Sequence, residues 1–363
     1  MSALVHAPFP IEGRRALLLA EGSFSPEEGK TAVCFAMYRP DDVVAVLDST
    51  RAGRTVHDAL GFGPAAPIVA AMDDALACSP AIAVVGAAPV GGGLPEATRV
   101  QVARCLEAGV DVVSGMHAFV ADDPELAAIA ARSGARVWDV RRTTDARTVS
   151  TGSGCTSGAA VVLTVGTDCG VGKMTVTVEL QRAAARAGYR ASWAATGQTG
   201  MILRGRGVAV DHVIADFVGG ATQELVEFEG RDAEVVFVEG QGAITHPGYA
   251  AVTLGLLYGA MPDAMVLVHN PARTSYKHLT AAIPPLGEVI GLYESLMRPW
   301  KRARVVAVAL DTRALTSAEA RRAVDRARDE TGLPATDVVR HGCDAILPAV
   351  LRPTPGPAAS AKG

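Results

Sequence analysis

The stretch Val161 to Arg186, VVLTVGTDCGVGKMTVTVELQRAAAR, limits what the rest of the chain can be. A short apolar, β-branched run gives way to three glycines and a lysine, then to residues of good helix propensity that end before Gly188. That order predicts a buried strand, a tight loop and a helix. Gly166, Gly170 and Gly172 let the backbone turn sharply and aim its N–H groups inward. The helix N-terminus adds the positive end of its dipole, and Lys173 adds a mobile charge. A diphosphate placed there meets several donors at once. The run Gly166, Thr167, Asp168, Gly170, Val171, Gly172, Lys173, Met174 and Thr175 is therefore expected to hold a phosphorylated cofactor. Two features depart from the strict phosphate loop: five residues rather than four separate Gly166 from Gly172, and Met174 stands where a Mg²⁺-holding hydroxyl is usual, the nearest being Thr175. Only five of the 34 basic residues are lysines, so a lysine here reads as chosen for chemistry.

A chain of 363 residues, 49% hydrophobic and 20% charged, is long enough for two domains with separate cores. The net charge of -4 and pI near 6.1 argue against a general nucleic-acid binder, and small molecules are the expected partners. The N-terminus lacks the basic start and apolar core of a signal peptide, and no apolar run reaches the roughly 18 residues of a membrane span. A cytoplasmic protein without a membrane partner is expected. Six scattered cysteines contain no C-x-x-C pair and suggest neither a zinc site nor a disulfide framework. Cys169 reads as a small loop-filling residue.

Apolar runs at 14–20, 43–47, 81–86, 110–114 and 135–140 alternate with helical patterns, which implies an α/β domain with a parallel sheet covered on both faces. Asp48, at the end of the second run, could hold a ribose, and the glycines at 91–93 suggest a loop at the sheet's carboxyl edge. From Thr143 to Ser157 the chain turns rich in Thr, Ser and Gly. The expected organisation is a domain over 1–145, a linker over 146–158, a second α/β domain over 159–350 and a disordered tail over 351–363.

In the second half, a strand near 190–195 delivers TGQTG, making Thr196, Gln198 and Thr199 candidate substrate contacts. Residues 211–225 have helical spacing with Asp211 as the cap. The run VVFVEGQG brings Glu239, with Gln241, out of an apolar strand into a glycine-rich turn, a common way to present an acid to Mg²⁺ or a nucleophile. His246 suits a general base. His269, Arg273 and Lys277 form the most cationic loop of this half, with the two cations placed to hold a carboxylate or phosphate and His269 a further candidate acid–base group. Apolar segments such as VTLGLLYGAM could serve a subunit interface, so a homo-oligomer is expected.

The blocks GTDCGVGKMT, ATGQTGMIL, DHVIADFVGGA, VEGQGAITHPGY and ETGLPATDVVRHG resemble the DUF1611 family, and EGSF, GAAPVGGGLP, VVSGMHAFVADDPELA and WDVRR resemble its N-terminal domain. The resemblance runs over nearly the whole chain in order. It implies a Rossmann-like N-terminal domain followed by a P-loop NTPase-like domain, the latter similar to dethiobiotin synthetase. It further implies acetyl-CoA as cofactor and acylation of the amine of a small, acidic amino acid, D-glutamate in the family's characterised member. The likeness to dethiobiotin synthetase offers a second chemistry: an ATP-dependent ligase or kinase using Mg²⁺, held by Thr175 and Glu239, to activate a carboxylate. Glu239, His246 and His269 are then the candidate catalytic residues. The chain departs from the family pattern at Ala243, Tyr258, Asn270 and Asp311, changes that bear on which substrate is accepted.

Overall fold

The protein is described by a computed structural model covering residues 2–26, 28–86 and 93–352. Packing divides it into two compact units, Val5–Thr143 with Gln198–Ala209, and residues 2–4 with Thr144–Gly197 and the chain from Val210 onward.

In the N-terminal unit the strands are β1 (Val5–His6), β2 (Ala16–Leu19), β3 (Val43–Leu47), β4 (Ile68–Val69), β5 (Ile82–Val85), β6 (Asp111–Ser114) and β7 (Val137–Asp139). The last six form one sheet in the order β4-β3-β2-β5-β6-β7, and every pairing is parallel. Counted within the sheet this is the 3-2-1-4-5-6 order of a Rossmann-like domain. Parallel strands must be covered on both faces, and the alternating neighbours Leu17 and Leu18, Val46 and Leu47, Val84 and Val85, and Val112 and Val113 are accordingly all buried. The expected ribose contact, Asp48, is spent inside the fold. It is fully buried, and its oxygens accept from the backbone N–H groups of Gly22, Phe24 and Thr50 and from the Thr50 hydroxyl, pinning the loop after β2. Of the three glycines at 91–93, only Gly93 lies within the described residues, and the tail expectation concerns residues almost wholly outside them.

The second unit holds β8 (Ala160–Gly166), β9 (Ala191–Ala194), β11 (Val235–Val238), β12 (Ala264–His269), β13 (Arg304–Leu310) and β14 (Ala335–Thr336), whereas β10 (Arg206–Gly207) pairs antiparallel with β1 in the N-terminal unit. Its sheet runs β14-β13-β12-β8-β11-β9, again all parallel, with the phosphate-loop strand in the middle. This is a P-loop domain. The stretch 146–158 lies along the helix Val218–Gly230: Ser150 Oγ donates to Gln223 (3.1 Å), the Thr156 N–H to Glu227 (2.7 Å) and Ser157 Oγ to the Gly230 carbonyl (2.8 Å). The helix expected over 211–225 starts later, at Val218, after two short 3-10 turns, and Asp211 lies in the first of these turns rather than at a cap. Within that helix Gly220 has no room for a side chain, since a Cβ would collide with the Thr148 carbonyl. Sequence periodicity does not reveal so close an approach of two backbones. Among the described residues no helix is long and apolar enough to cross a membrane.

Candidate functional site

Every strand of the second sheet ends on the same edge, and β8 delivers the phosphate loop at its centre. Gly170 (φ +63°) and Gly172 (φ +99°) take the left-handed conformation that side chains disfavour, which lets the chain curl and start the helix Lys173–Arg186 immediately. Lys173 is buried, and its Nζ donates to the Asp168 carbonyl at 2.8 Å. Its stem is threaded between two glycines. A Cβ on Gly166 would stand 2.8 Å from Lys173 Nζ, and one on Gly240 would lie 3.0 Å from Lys173 Cδ while colliding with the Thr164 carbonyl. The loop therefore fits a diphosphate: backbone donors, a helix N-terminus and a cation whose path is fixed. Met174 is buried in the core and Thr175 is half-buried on the same helix.

Asp168 ties the loop to the segment after β12. Fully buried, it accepts from the Cys169 N–H, the Lys277 N–H and Arg273 Nη1, each at 2.7 Å. Burial pushes its carboxyl up, but the Lys277 amide, the Arg273 guanidinium and the Cys169 amide together outweigh that and hold it below the usual range. Arg273 also donates to the Cys169 carbonyl at 2.7 Å, so one edge of this cation clamps the loop, while the Lys277 side chain is exposed. Burial, then the Asp168 charge, pushes the Cys169 thiol up, which keeps it from being a thiolate.

Asp168, Cys169 and His246 bring potential metal-ligand atoms within 4.8 Å of one another. Hydrogen bonding already claims these groups. His246 Nδ1 accepts the Gly248 N–H at 3.1 Å, which leaves the ring proton on Nε2, facing the Lys277 carbonyl at 3.4 Å. In this tautomer His246 presents no lone pair to the loop. Its ring packs at 4.6 Å from Tyr249 and edge-on to Tyr276 at 5.6 Å.

Glu239 leaves β11 beside the loop and is buried, with Oε2 accepting the Thr196 (3.1 Å) and Gly197 (3.2 Å) N–H groups. Thr196 returns its hydroxyl to the Glu239 carbonyl, and Gln241 Nε2 donates to Thr196 Oγ1 at 3.2 Å. Gly197 has no space for a side chain, since a Cβ would meet Gln241 Nε2 at 2.6 Å and Glu239 Oε1 at 3.2 Å. Thr196, Glu239 and Gln241 thus form one cluster. Gln198 and Thr199 belong to the N-terminal unit, where the Gln198 stem packs on Gly115 and Thr199 Oγ1 lies 2.9 Å from Thr31 Oγ1.

Two further residues contribute, one without a sequence signal and the other marked in the sequence only as a departure from the family pattern. Tyr293, fully buried on the helix Leu286–Met297, donates its hydroxyl to the Gly166 carbonyl (2.9 Å) and accepts the Ile244 N–H (3.1 Å), joining the phosphate loop to the turn after Glu239. Burial pushes that hydroxyl up to about 12, so it stays protonated and able to donate. Asp311, at the end of β13, stands next to Gly172, 3.7 Å from where a Cβ would be.

His269 Nδ1 is 2.9 Å from Thr167 Oγ1. Burial, then the Arg273 charge, pushes its imidazole down from 6.5 to about 4, so it is neutral near pH 7. Its folded pKa lies below its unfolded one, so acid favours the unfolded chain: this contribution is fully present above pH 6.5, declines as pH falls toward 4, and is constant below that. Between pH 7 and 4 the wild type is expected to lose on the order of 2–3 kcal/mol more stability than His269→Asn, which keeps a partner for Thr167. Denaturant midpoints across that range check this, and parallel curves for the two proteins would refute it.

Residues 148–347 match the family described as "Domain of unknown function (DUF1611_C) P-loop domain", and residues 49–143 match "Domain of unknown function (DUF1611_N) Rossmann-like domain". A D-glutamate N-acetyltransferase of Tritonibacter scottomollicae is 32% identical over 88% of this chain and 93% of that protein. One from a Pseudoalteromonas species is 33% identical over 73% of this chain and 79% of its own length. The crystal structure of a DUF1611 family protein from Anabaena variabilis ATCC 29413 superposes with a TM-score of 0.89 at 38% identity, covering 93% of this chain and 99% of that one.

Proposed function

This chain belongs to the DUF1611 family, and from that premise we propose that it is an N-acetyltransferase that moves the acetyl group of acetyl-CoA to the amine of a small, acidic amino acid, with D-glutamate, the substrate named for its two relatives, as the first to test. The observation that carries the choice of cofactor is the position after Lys173. Mg²⁺-ATP chemistry needs an oxygen ligand there, and the side chain present is Met174, packed in the core. Glu239, expected with Thr175 to hold Mg²⁺, has Oε2 accepting from two backbone amides, and Thr175 is half-buried one position past Met174. These donors do not fit a resident Mg²⁺. A diphosphate within coenzyme A uses the same backbone cradle and lysine without a metal.

Bound acetyl-CoA supplies the activated acetyl thioester. The chain supplies the rest. Residues Gly170 to Thr175 with Lys173 hold the diphosphate. Glu239, fixed by Thr196 and Gly197, takes a proton from the acceptor's ammonium group to expose the amine lone pair. Arg273 and the exposed Lys277 provide positive charge for the acceptor's carboxylates. The Thr196 and Gly197 amides are occupied by Glu239, and the Gly240 amide donates to Thr164 Oγ1 at 3.0 Å, so these groups serve to place the carboxylate rather than to stabilise an oxyanion.

Thermal unfolding with acetyl-CoA, and separately with ATP with and without Mg²⁺, tests the cofactor, since a ligand of the folded state raises the melting temperature. Acetyl-CoA is expected to stabilise the protein and to release free CoA thiol when D-glutamate is added. Stabilisation by Mg²⁺-ATP alone, with ADP release, would replace this reading with a carboxylate-activating ligase.

A further inference from the structure

We infer that Lys277 is the specificity-determining residue of the acceptor site, reading the side-chain carboxylate that a dicarboxylic amino acid has and a neutral one lacks, and that His246 is the positioning residue that fixes the backbone beneath it. The inference rests on the acetyltransferase reading and deepens it.

Lys277 lies on a short turn after β12. Ser275 and Ala282 form an antiparallel bridge, and the N–H groups of Tyr276 and Ile283 donate to the Ala281 and Thr274 carbonyls, each at 3.0 Å. His278 follows with φ +65°, in the left-handed region that side chains disfavour. Such a conformation persists where the surroundings dictate it. Two buried groups grip the Lys277 backbone, one on each polar atom: Asp168 Oδ2 accepts its N–H at 2.7 Å, and His246 Nε2 faces its carbonyl at 3.4 Å.

His246 is itself held in place. The Gly248 N–H fixes its tautomer from Nδ1, and the rings of Tyr249 and Tyr276 pack against it. The imidazole therefore joins the turn after Glu239 to the backbone of Lys277, which gives a task to a buried histidine that the proton transfer at Glu239 does not use. A functional group supported by such a second layer keeps its place without help from the ligand.

The charges point the same way. Of the three cations at the phosphate loop, Lys173 is buried and Arg273 shares its charge with Asp168 at 2.7 Å, whereas the exposed Lys277 has no carboxylate partner among the described residues. Burial and the Asp168 charge push the Cys169 thiol up, and the charges of Lys173 and Lys277 act against them, which brings the Lys277 ammonium close to the tip of the loop. An amino acid whose amine faces Glu239 carries its α-carboxylate next to that amine, toward Arg273 on the loop. The more exposed Lys277 then meets the far end of the side chain. A carboxylate there balances the ammonium, and a neutral group of the same shape does not.

D-Glutamine has the shape of D-glutamate with an amide in place of the side-chain carboxylate. Measured by release of free CoA thiol, the full-length wild type is expected to show a kcat/KM about 10- to 100-fold higher for D-glutamate than for D-glutamine. In Lys277→Met the two values are expected to fall within about threefold of each other. His246→Asn keeps an acceptor for the Gly248 N–H but loses the donor at Nε2, and is expected to raise the KM for D-glutamate about tenfold with kcat little affected. His246→Gln, whose amide reaches the place of Nε2, is expected to recover most of that loss. Equal use of D-glutamate and D-glutamine by the wild type, or a preference that survives in Lys277→Met, overturns the inference and leaves the acetyltransferase standing. A fall in kcat rather than a rise in KM in His246→Asn overturns the positioning role. Thiol release with a neutral or basic amino acid and none with D-glutamate removes the inference alone, and thiol release with no amino acid removes both readings.

Discussion

Lys173→Ala is expected to raise the Kd for acetyl-CoA about 100-fold, a loss of about 2.7 kcal/mol. A hydrogen bond from a charged donor is worth about 1.5–3 kcal/mol, and this ammonium is buried at the mouth of a helix where few water molecules compete. Its stem is confined by Gly166 and Gly240, so no neighbouring cation can take over its position. Arginine is expected to be no substitute, because its planar head is too broad for a channel lined by two missing side chains. Titration with acetyl-CoA, alongside a melting curve to confirm folding, checks the variant. A Kd within threefold of wild type would remove the phosphate loop from cofactor binding.

Glu239→Gln is expected to leave the Kd for acetyl-CoA within threefold of wild type and to lower kcat about 100-fold or more. The amide oxygen can still accept from Thr196 and Gly197, so the turn keeps its shape and the cofactor its cradle. What disappears is a group able to carry the acceptor's proton. Losing catalysis while keeping binding separates this role from a structural one, in which Kd, stability and kcat would fall together. Full turnover in the variant would remove Glu239 from the chemistry.

The P-loop unit was legible in the sequence where local chemistry dictates it. A β-branched run, glycines at positions that require left-handed backbone and a lone lysine specify strand, loop and helix almost independently of the surroundings, and the structure has β8, the loop and the helix Lys173–Arg186 at those places. Glu239 was legible for a related reason: a carboxylate leaving an apolar strand needs partners, and it has them. The illegible parts depend on contacts between residues far apart in the chain. Arg273 and Lys277 looked like two equivalent cations, yet only Arg273 is tied to the loop by its side chain, because Asp168 reaches across 105 residues to it. TGQTG reads as one cluster, but the chain passes between units after Gly197, so Thr196 serves Glu239 while Thr199 meets Thr31. Tyr293 drew no expectation from the sequence, and only the folded chain shows where its hydroxyl goes.

The two hydrogen bonds made by that hydroxyl also bear on how the protein can change. By holding the Gly166 carbonyl and the Ile244 amide at once, Tyr293 makes the phosphate loop and the turn after Glu239 a single mechanical part. A part pinned before its ligand arrives has little freedom left to lose on binding, which favours affinity but leaves no slack for a ligand of another shape. Laboratory evolution toward bulkier acyl donors would therefore gain little from changes at the rim of the pocket until the Tyr293 pin is loosened, and the order in which mutations are acquired would decide whether the new activity is reached.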